Sequence, residues 1–411
     1  MSLLPAFTTR GWGLLSGGAS LVASGIIIGE RDLVGLGVLV FALPLLAAAT
    51  LIGAPGRVVH SRALEPARAP AGSDARVLVR VANAATALPI GGLRVADELP
   101  DTLGIAPTFN VGFLAPRAVR DVTYRVRPHV RGAYAIGPLT ASFADPLNCV
   151  RVSRRVGAPM TLLVTPPVVA LPAGPLPGAA AEGGDTAVRT VSGGTDDDPV
   201  PRAYRHGDDL RRVHWRSTAR HGELMVRREE HHRSDRSAVL VDMRAAAHAG
   251  EGPESSQEVA VSAAASIALH LIGRGHETRL HTESGEVAAS RRDALLDALA
   301  VARSSETAGL AGAAESARAA AVSGRGLLVA VLGALSAEDL GALTALSGAR
   351  DHACVAVLCG GAAWPAAAPP AGAAAVLREA GWSVLGIGTP GDLPAGWQGL
   401  GAARLHPGAH R

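Results

Sequence analysis

The chemically dense part of this chain runs from Tyr204 to Arg227, where arginines, two adjacent aspartates, a His-Trp pair and two glycines fall in one short span. Guanidinium forks suit carboxylates and phosphates, so such a segment serves either an anionic or protein partner or an internal ion-pair network. Asp208 or Asp209 can cap a helix that runs to about Arg220, with Gly222 ending it. Arg212, Arg216 and Arg220 then share one helix face. Leu210 and Val213 turn inward, with Trp215 a candidate to join them, and Leu224 and Val226 open a strand. In the docking reading the partner-binding residues are Arg205, Asp208, Asp209, Arg212, His214, Trp215, Arg216 and Arg220. In the internal reading the arginines pair with Asp208, Asp209, Glu223, Glu229 and Glu230 and stitch two domains together.

Other chemistry is sparse. His206, His214, His221, His231 and His232 match neither the His-Glu-x-x-His nor the finger spacing, so solvated or hydrogen-bonded roles are expected. Gly386-Ile-Gly-Thr-Pro-Gly391 satisfies Gly-x-Gly-x-x-Gly after a strand. Too little chain follows it for a dinucleotide fold, and Pro390 and Pro394 oppose a long helix there, so no cofactor is assigned. All 39 basic residues are arginine. The absence of lysine excludes a P-loop, protein-kinase or Schiff-base lysine and argues against ATP hydrolysis by this chain. No Gly-x-Ser-x-Gly elbow exists, and no catalytic residue is assigned. Cys149, Cys354 and Cys359 form neither a disulfide framework nor a zinc spacing, which fits a reducing compartment. A net charge of +3, with acids and bases interspersed, makes no case for nucleic acid.

Chain length requires more than one domain to position these residues: 411 residues exceed an ordinary single core. Hydrophobic residues make up 48% and charged residues 18%, which points toward a membrane-attached protein. From Trp12 to Gly29 and from Leu33 to Gly53 there is no charge, and each run is close to the ~20 residues that cross ~30 Å of hydrocarbon. Only Glu30, Arg31 and Asp32 separate them, and a second apolar run following at once argues against a signal peptide. Arg10 precedes the first span, and Arg57, Arg62 and Arg68 follow the second, so both ends and the bulk of the chain are expected on the cytoplasmic face of the cell membrane.

Residues 56–170 change to short alternating runs such as Ala75–Ala82 and Asp121–Arg127, punctuated by Pro and Gly. That pattern predicts an antiparallel β-sandwich of immunoglobulin-like kind, without a Cys-Trp-Cys core. Residues 171–201 read as a linker or long loop, and 202–235 hold the arginine-rich motif. Within 236–411 strands at Ala238–Asp242, Thr278–His281, Gly326–Leu332, Ala353–Leu358 and Ser383–Ile387 alternate with helices at Ser255–Leu271, Ser336–Leu346 and Ala371–Ala380. Apolar runs between helices predict an α/β domain with a mostly parallel sheet covered on both faces.

Gly207-Asp-Asp-Leu-Arg-Arg-Val-His-Trp-Arg-Ser-Thr-Ala-Arg, continued by Gly222-Glu-Leu-Met-Val-Arg-Arg-Glu, resembles the motif of the bacterial domain of unknown function 58 family. Arg10-Gly-Trp before the first span, Arg131-Gly-Ala-Tyr and Asp145-Pro extend the resemblance over most of the chain. It implies a von Willebrand factor A-like domain after the motif, and a partner of the MoxR type within the AAA+ ATPases. One departure matters. Such domains commonly end their first strand in Asp-x-Ser-x-Ser, whose oxygens hold a magnesium ion, whereas here the stretch is Asp242-Met-Arg244-Ala-Ala246. Hard cations need oxygen ligands, both hydroxyls are missing, and Arg244 brings a fixed positive charge. No metal is expected, and Asp242 is expected to pair with Arg244. The resulting expectation is a non-enzymatic, membrane-anchored adaptor or scaffold for such an ATPase in envelope or complex assembly. The alternative is a hydrolase of envelope components with a site near the arginine motif. Oligomeric state is not legible.

Overall fold

In the computed structural model the described residues are 6–51, 54–176, 201–204, 213, 215–227, 236–287, 291–307, 309–321, 326–347, 352–360 and 370–402. The chain opens with a short strand, β1 (Ala6–Phe7), followed by two apolar helices, α1 (Thr9–Ile28) and α2 (Arg31–Leu51). Both are long and apolar enough to cross a membrane. Thr8 caps α1, its hydroxyl accepting from the Gly11 amide at 3.3 Å, and Gly29 ends it in the left-handed conformation. Gly11, Gly18 and Gly25 are the buried residues of α1, spaced by sevens. A Cβ on Gly18 would lie 2.6 Å from the Phe41 nitrogen, and one on Gly37 would lie 2.6 Å from that of Val22. Glycine therefore lets the two backbones touch.

A single turn, α3 (Ala54–Arg57), leads into the strands β2 (Val58–Glu65), β3 (Arg68–Pro70), β4 (Ala75–Asn83), β5 (Ile90–Asp97), β6 (Thr108–Leu114) and β7 (Val119–Val126). The run continues with β8 (Gly132–Ile136), β9 (Leu139–Ala144), β10 (Val150–Val156) and β11 (Met160–Thr165). They form three sheets: β1-β10-β9-β5-β6 and β2-β4-β7, both antiparallel, and β3-β11-β8, in which β3 and β11 run parallel. Strand alternation explains the layering. In β4, Val77, Val79 and Val81 point inward while Arg76 and Arg80 are exposed. Those valines meet Ile90, Leu93, Val95, Ile136, Phe143 and Leu162 in one core, which Ala47, Leu51 and Ala54 at the base of the hairpin join.

After β11 come β12 (Pro201–Ala203), α4 (Trp215–His221) and β13 (Met225–Arg227), with β12 and β13 paired antiparallel. The remaining elements are β14 (Arg236–Val241), α5 (Ser256–Gly273), β15 (Glu277–Thr282), β16 (Gly285–Val287), α6 (Arg292–Val301) and α7 (Ala311–Ala321). They continue as β17 (Gly326–Leu332), α8 (Ala337–Leu346), β18 (His352–Cys359), α9 (Pro370–Glu379), β19 (Ser383–Ile387) and α10 (Leu393–Ala402). The sheet order is β16-β15-β14-β17-β18-β19, parallel except for the edge hairpin of β15 and β16. Every residue of β17 is buried, as a sheet covered on both faces demands. α5, α6 and α10 pack on one face and α7, α8 and α9 on the other. The helix α10 departs from expectation: Pro394 sits in its first turn, where a proline lacks no hydrogen bond it would otherwise make.

The sandwich and the α/β unit are joined by specific bonds. The buried Arg131 donates from Nε to the Leu299 carbonyl and from Nη2 to that of Ala302, each at 2.9 Å, and from Nη1 to Glu258. Ser262 Oγ donates to the Pro167 carbonyl at 2.6 Å, the Val169 amide donates to Ser266 Oγ at 3.0 Å, and Arg68 meets Asp297 at 2.7 Å. Of the stretch read as a linker, Leu171 and Leu176 pack against the core beneath α5, and Arg274 donates to the Gly174 carbonyl.

Candidate functional site

Two places carry the chemistry. The first is α4. Val213 is buried just before it, and Gly222, at a φ of 73°, ends it with its amide donating to the Thr218 carbonyl at 3.0 Å. The Thr218 hydroxyl accepts from the Met225 amide at 3.0 Å, which fixes α4 against β13. Arg216 and Arg220 are both exposed, one turn apart. Trp215 is 71% exposed, contrary to the inward position considered for it. The helix starts at Trp215, and helical side chains lean toward the N-terminus, so an indole at its first position projects beyond the first turn instead of lying beneath the helix. Arg205, His206, Asp208, Asp209, Leu210, Arg212, His214, His231 and His232, with the expected cap, lie outside the described residues.

The second place is the carboxyl end of β14 and β17. The chain runs from β14 to β15 on one side and later to β17 on the other, and a doubly wound sheet opens its ligand crevice where that direction reverses. Here the crevice is filled from within. Arg244 donates from Nε to Asp242 Oδ1 and from Nη2 to Oδ2, both at 2.9 Å, and from Nη1 to Asp339 Oδ2 at 2.9 Å. All three side chains are buried. Asp339 belongs to the first turn of α8, where it forms a capping box with Ser336, and its Oδ1 accepts the Leu310 amide at 3.2 Å. Burial would raise the Asp339 carboxyl, but the Ser336 amide and Arg244 outweigh it and hold it below its usual value. The hydrogen bond to Asp242 holds the proton on Arg244 more firmly still.

His248 completes the cluster. Its Nε2 lies 2.7 Å from the Asp242 carbonyl and its Nδ1 3.1 Å from Ser256 Oγ. Since a carbonyl only accepts, Nε2 carries a proton, and in the neutral ring Nδ1 accepts from the serine. Burial pushes its pKa down, which favours that neutral form. The Met243 amide is held by Glu283 at 2.9 Å.

This arrangement is an internal guanidinium clamp between two carboxylates. Ser256, the hydroxyl beside His248, is fully buried, and Cys359, at the end of β18, has its thiol pushed well up by burial. Among the described residues no cluster of three His, Cys, Asp or Glu side chains is placed to hold a metal ion. The Gly386–Gly391 loop turns its amides on itself, since those of Gly388 and Thr389 donate to Asp392 Oδ2 at 3.0 and 2.7 Å. Asp339 and His248 escaped the reading of the sequence. The signal for Asp339 was the Ser336-x-x-Asp339 spacing, which gives a cap but not its second partner across the sheet.

Residues 201–360 match the model of a family described as Protein of unknown function DUF58. No curated protein matches the chain. The solution structure of the CARDB domain of PF1109 from Pyrococcus furiosus aligns at 15% identity over 24% of this chain and 94% of that one, with a TM-score of 0.18. Its crystal structure in complex with di-metal ions aligns at 17% identity over 24% of this chain and 87% of that one, with a TM-score of 0.17. The alkylpurine DNA glycosylase AlkC of Pseudomonas fluorescens, bound to DNA containing an abasic site analogue, aligns at 17% identity over 27% of this chain and 36% of that one, TM-score 0.17. Structural likeness at this level carries no argument.

Proposed function

We propose, on the premise that residues 201–360 belong to the DUF58 family, that this chain is a membrane-anchored adaptor and not an enzyme. The observation that carries the reading is the clamp of Arg244 on Asp242 and Asp339. The crevice in which an open α/β sheet receives its ligand holds the protein's own guanidinium instead. The doubly wound strand order and an aspartate closing the first strand support a von Willebrand factor A-like domain whose cation has been replaced by Arg244. Recognition then passes to the surface around α4, where the exposed Trp215, Arg216 and Arg220 offer one aromatic anchor and two guanidinium forks. Arg205, Asp208, Asp209, Arg212 and His214, beside them in the sequence, are the further docking residues of this reading. By family resemblance the partner is an AAA+ ATPase of MoxR type.

The helices α1 and α2 anchor this body, with the bulk of the chain on the cytoplasmic side, where such an ATPase works. Replacing Trp215 with a photoreactive benzoyl-phenylalanine in living cells tests the reading. A single dominant adduct that contains an AAA+ ATPase supports it. Adducts with nothing but lipid or the chain itself overturn it.

A further inference from the structure

We propose that the end of the β-sandwich from which α1 and α2 leave is itself a membrane-docking face, seated on the head groups of an anionic bilayer. The proposal rests on the reading of those helices as membrane spans. It goes beyond that reading by assigning the lipid surface a second, non-helical contact that sets how the cytoplasmic body stands.

Hydrogen bonds fix three loops at the level where the helices begin. The Thr8 hydroxyl donates to the Asn148 carbonyl at 2.7 Å and the Thr8 amide to that of Cys149 at 2.9 Å. The β9–β10 turn is thereby tied to the cap of α1. Next to that cap, Trp12 stands exposed, with its ring edge against Phe7, the position aromatic side chains favour at a membrane boundary. On the other side of the hairpin, the Ala84 amide donates to the Arg57 carbonyl at 2.8 Å. The buried Asn83 then donates from Nδ2 to the carbonyls of Leu88, Leu114 and Ala115 at 2.9, 3.2 and 3.2 Å, and the Arg117 amide reaches the Ala85 carbonyl at 3.1 Å. Loops 84–89, 115–118 and 145–149 therefore sit together at this end.

Their outward side chains are apolar and basic. Leu88 and Phe113 are 59% and 65% exposed, and Leu147 at the tip of the β9–β10 turn is exposed as well. Val59 and Val119, also exposed, both pair with Ala82 and so flank it on the outer face of the β2-β4-β7 sheet. Arg10, Arg117, Arg120 and Arg151 are exposed at the same end. The acid of these loops, Asp145, is buried and spends its oxygens on the Leu147 and Val150 amides at 2.9 and 2.6 Å. Asp121, farther along β7, is taken by Arg80 at 2.8 Å. Glu65, Asp74, Asp97, Glu98 and Asp101 all lie at the opposite end. Exposed Arg76, Arg125, Arg127 and Arg155 stand at that opposite end too, so the helix end differs from it in its few acids and not in its arginines.

An apolar collar ringed with guanidinium groups fits an interface of acyl-chain boundary and phosphate head groups. It is also continuous with the core that the hairpin base already shares with the sandwich.

The test uses the full-length chain in vesicles of phosphatidylglycerol and phosphatidylcholine, with an environment-sensitive fluorophore on a single engineered cysteine. The three native cysteines are buried and stay unlabelled. Labels are placed at Leu88→Cys, at Ile105→Cys on the opposite end, where Ile105 is 96% exposed, and at Ser20→Cys within α1. Nitroxide lipids should quench Leu88→Cys several-fold more than Ile105→Cys, and phosphatidylcholine alone should reduce that difference. Equal quenching at both ends, with Ser20→Cys still quenched by acyl-chain nitroxides, overturns the docking face and leaves the spans intact. An unquenched Ser20→Cys overturns both. A difference unchanged in phosphatidylcholine alone overturns the anionic recognition.

Discussion

Arg244 lies edge-on to Asp242, two parallel N–H···O bonds of 2.9 Å joining the guanidinium fork to both carboxylate oxygens, while its third nitrogen reaches Asp339. Removing the cation from such a buried triad leaves two carboxylates without a counter-charge. Arg244→Met should destabilise the detergent-solubilised chain by ~3–5 kcal/mol in urea denaturation. Combined with Asp339→Asn, the losses should be markedly less than additive, because the second change removes a charge that the first has orphaned.

The clamp also predicts a gain of function. Arg244→Ser with Ala246→Ser writes Asp-x-Ser-x-Ser at Asp242, supplying two hydroxyl oxygens and removing the guanidinium. Magnesium should then raise the melting temperature of the double variant and leave that of the native chain unmoved. No magnesium response in a folded double variant would contradict the proposed von Willebrand factor A-like reading of this crevice.

Acid should weaken the fold earlier than carboxylates can account for. Burial lowers His60, His248, His270 and His281 below their ordinary value of 6.5. Just below pH 6.5 the unfolded chain therefore binds more protons than the native one, so stability is complete above that value and falls as pH drops through it. Asp339, with its carboxyl lowered, gives way only below its ordinary 3.8. His248→Gln should flatten the upper slope in denaturation curves measured across this range and leave the lower one intact.

Arg131 tests whether the sandwich and the α/β unit melt together. Its guanidinium satisfies Glu258 and two carbonyls, and burial already raises the Glu258 carboxyl against the pull of Arg131. Arg131→Ala should cost ~3–5 kcal/mol of coupling and split a single calorimetric transition in two. Arg131→Lys should rescue little, since an ammonium cannot reproduce the planar fork.

Much of the architecture was legible in local pattern. β17 and β19 match their expected spans, and α5 and α8 fall where helices were expected, because strand runs and helical periodicity are short-range signals. α7 was not legible: its sequence is nearly all small residues, so Ala313, Ala314, Ala317 and Ala321 are buried without any apolar contrast to reveal a face. β5 was hidden by Gly91 and Gly92, where a shift in register breaks the alternation. At the site, the pairing of Asp242 with Arg244 was expected from the departure of that stretch from the Asp-x-Ser-x-Ser pattern that the family resemblance implies. That of Asp339 was not, because Asp339 arrives from α8 only after β14 and β17 have become neighbours.

The central claim, that this chain docks an ATPase and performs no chemistry itself, is met most directly by affinity capture. The tagged full-length chain is drawn from gently solubilised membranes of its native cell, beside an Arg212→Glu/Arg216→Glu/Arg220→Glu variant of unchanged melting temperature, and co-purifying proteins are identified by mass spectrometry. The account predicts an AAA+ ATPase with the native chain and its loss from the variant. Equal recovery from both would contradict the docking face, and no ATPase with either would contradict the adaptor itself.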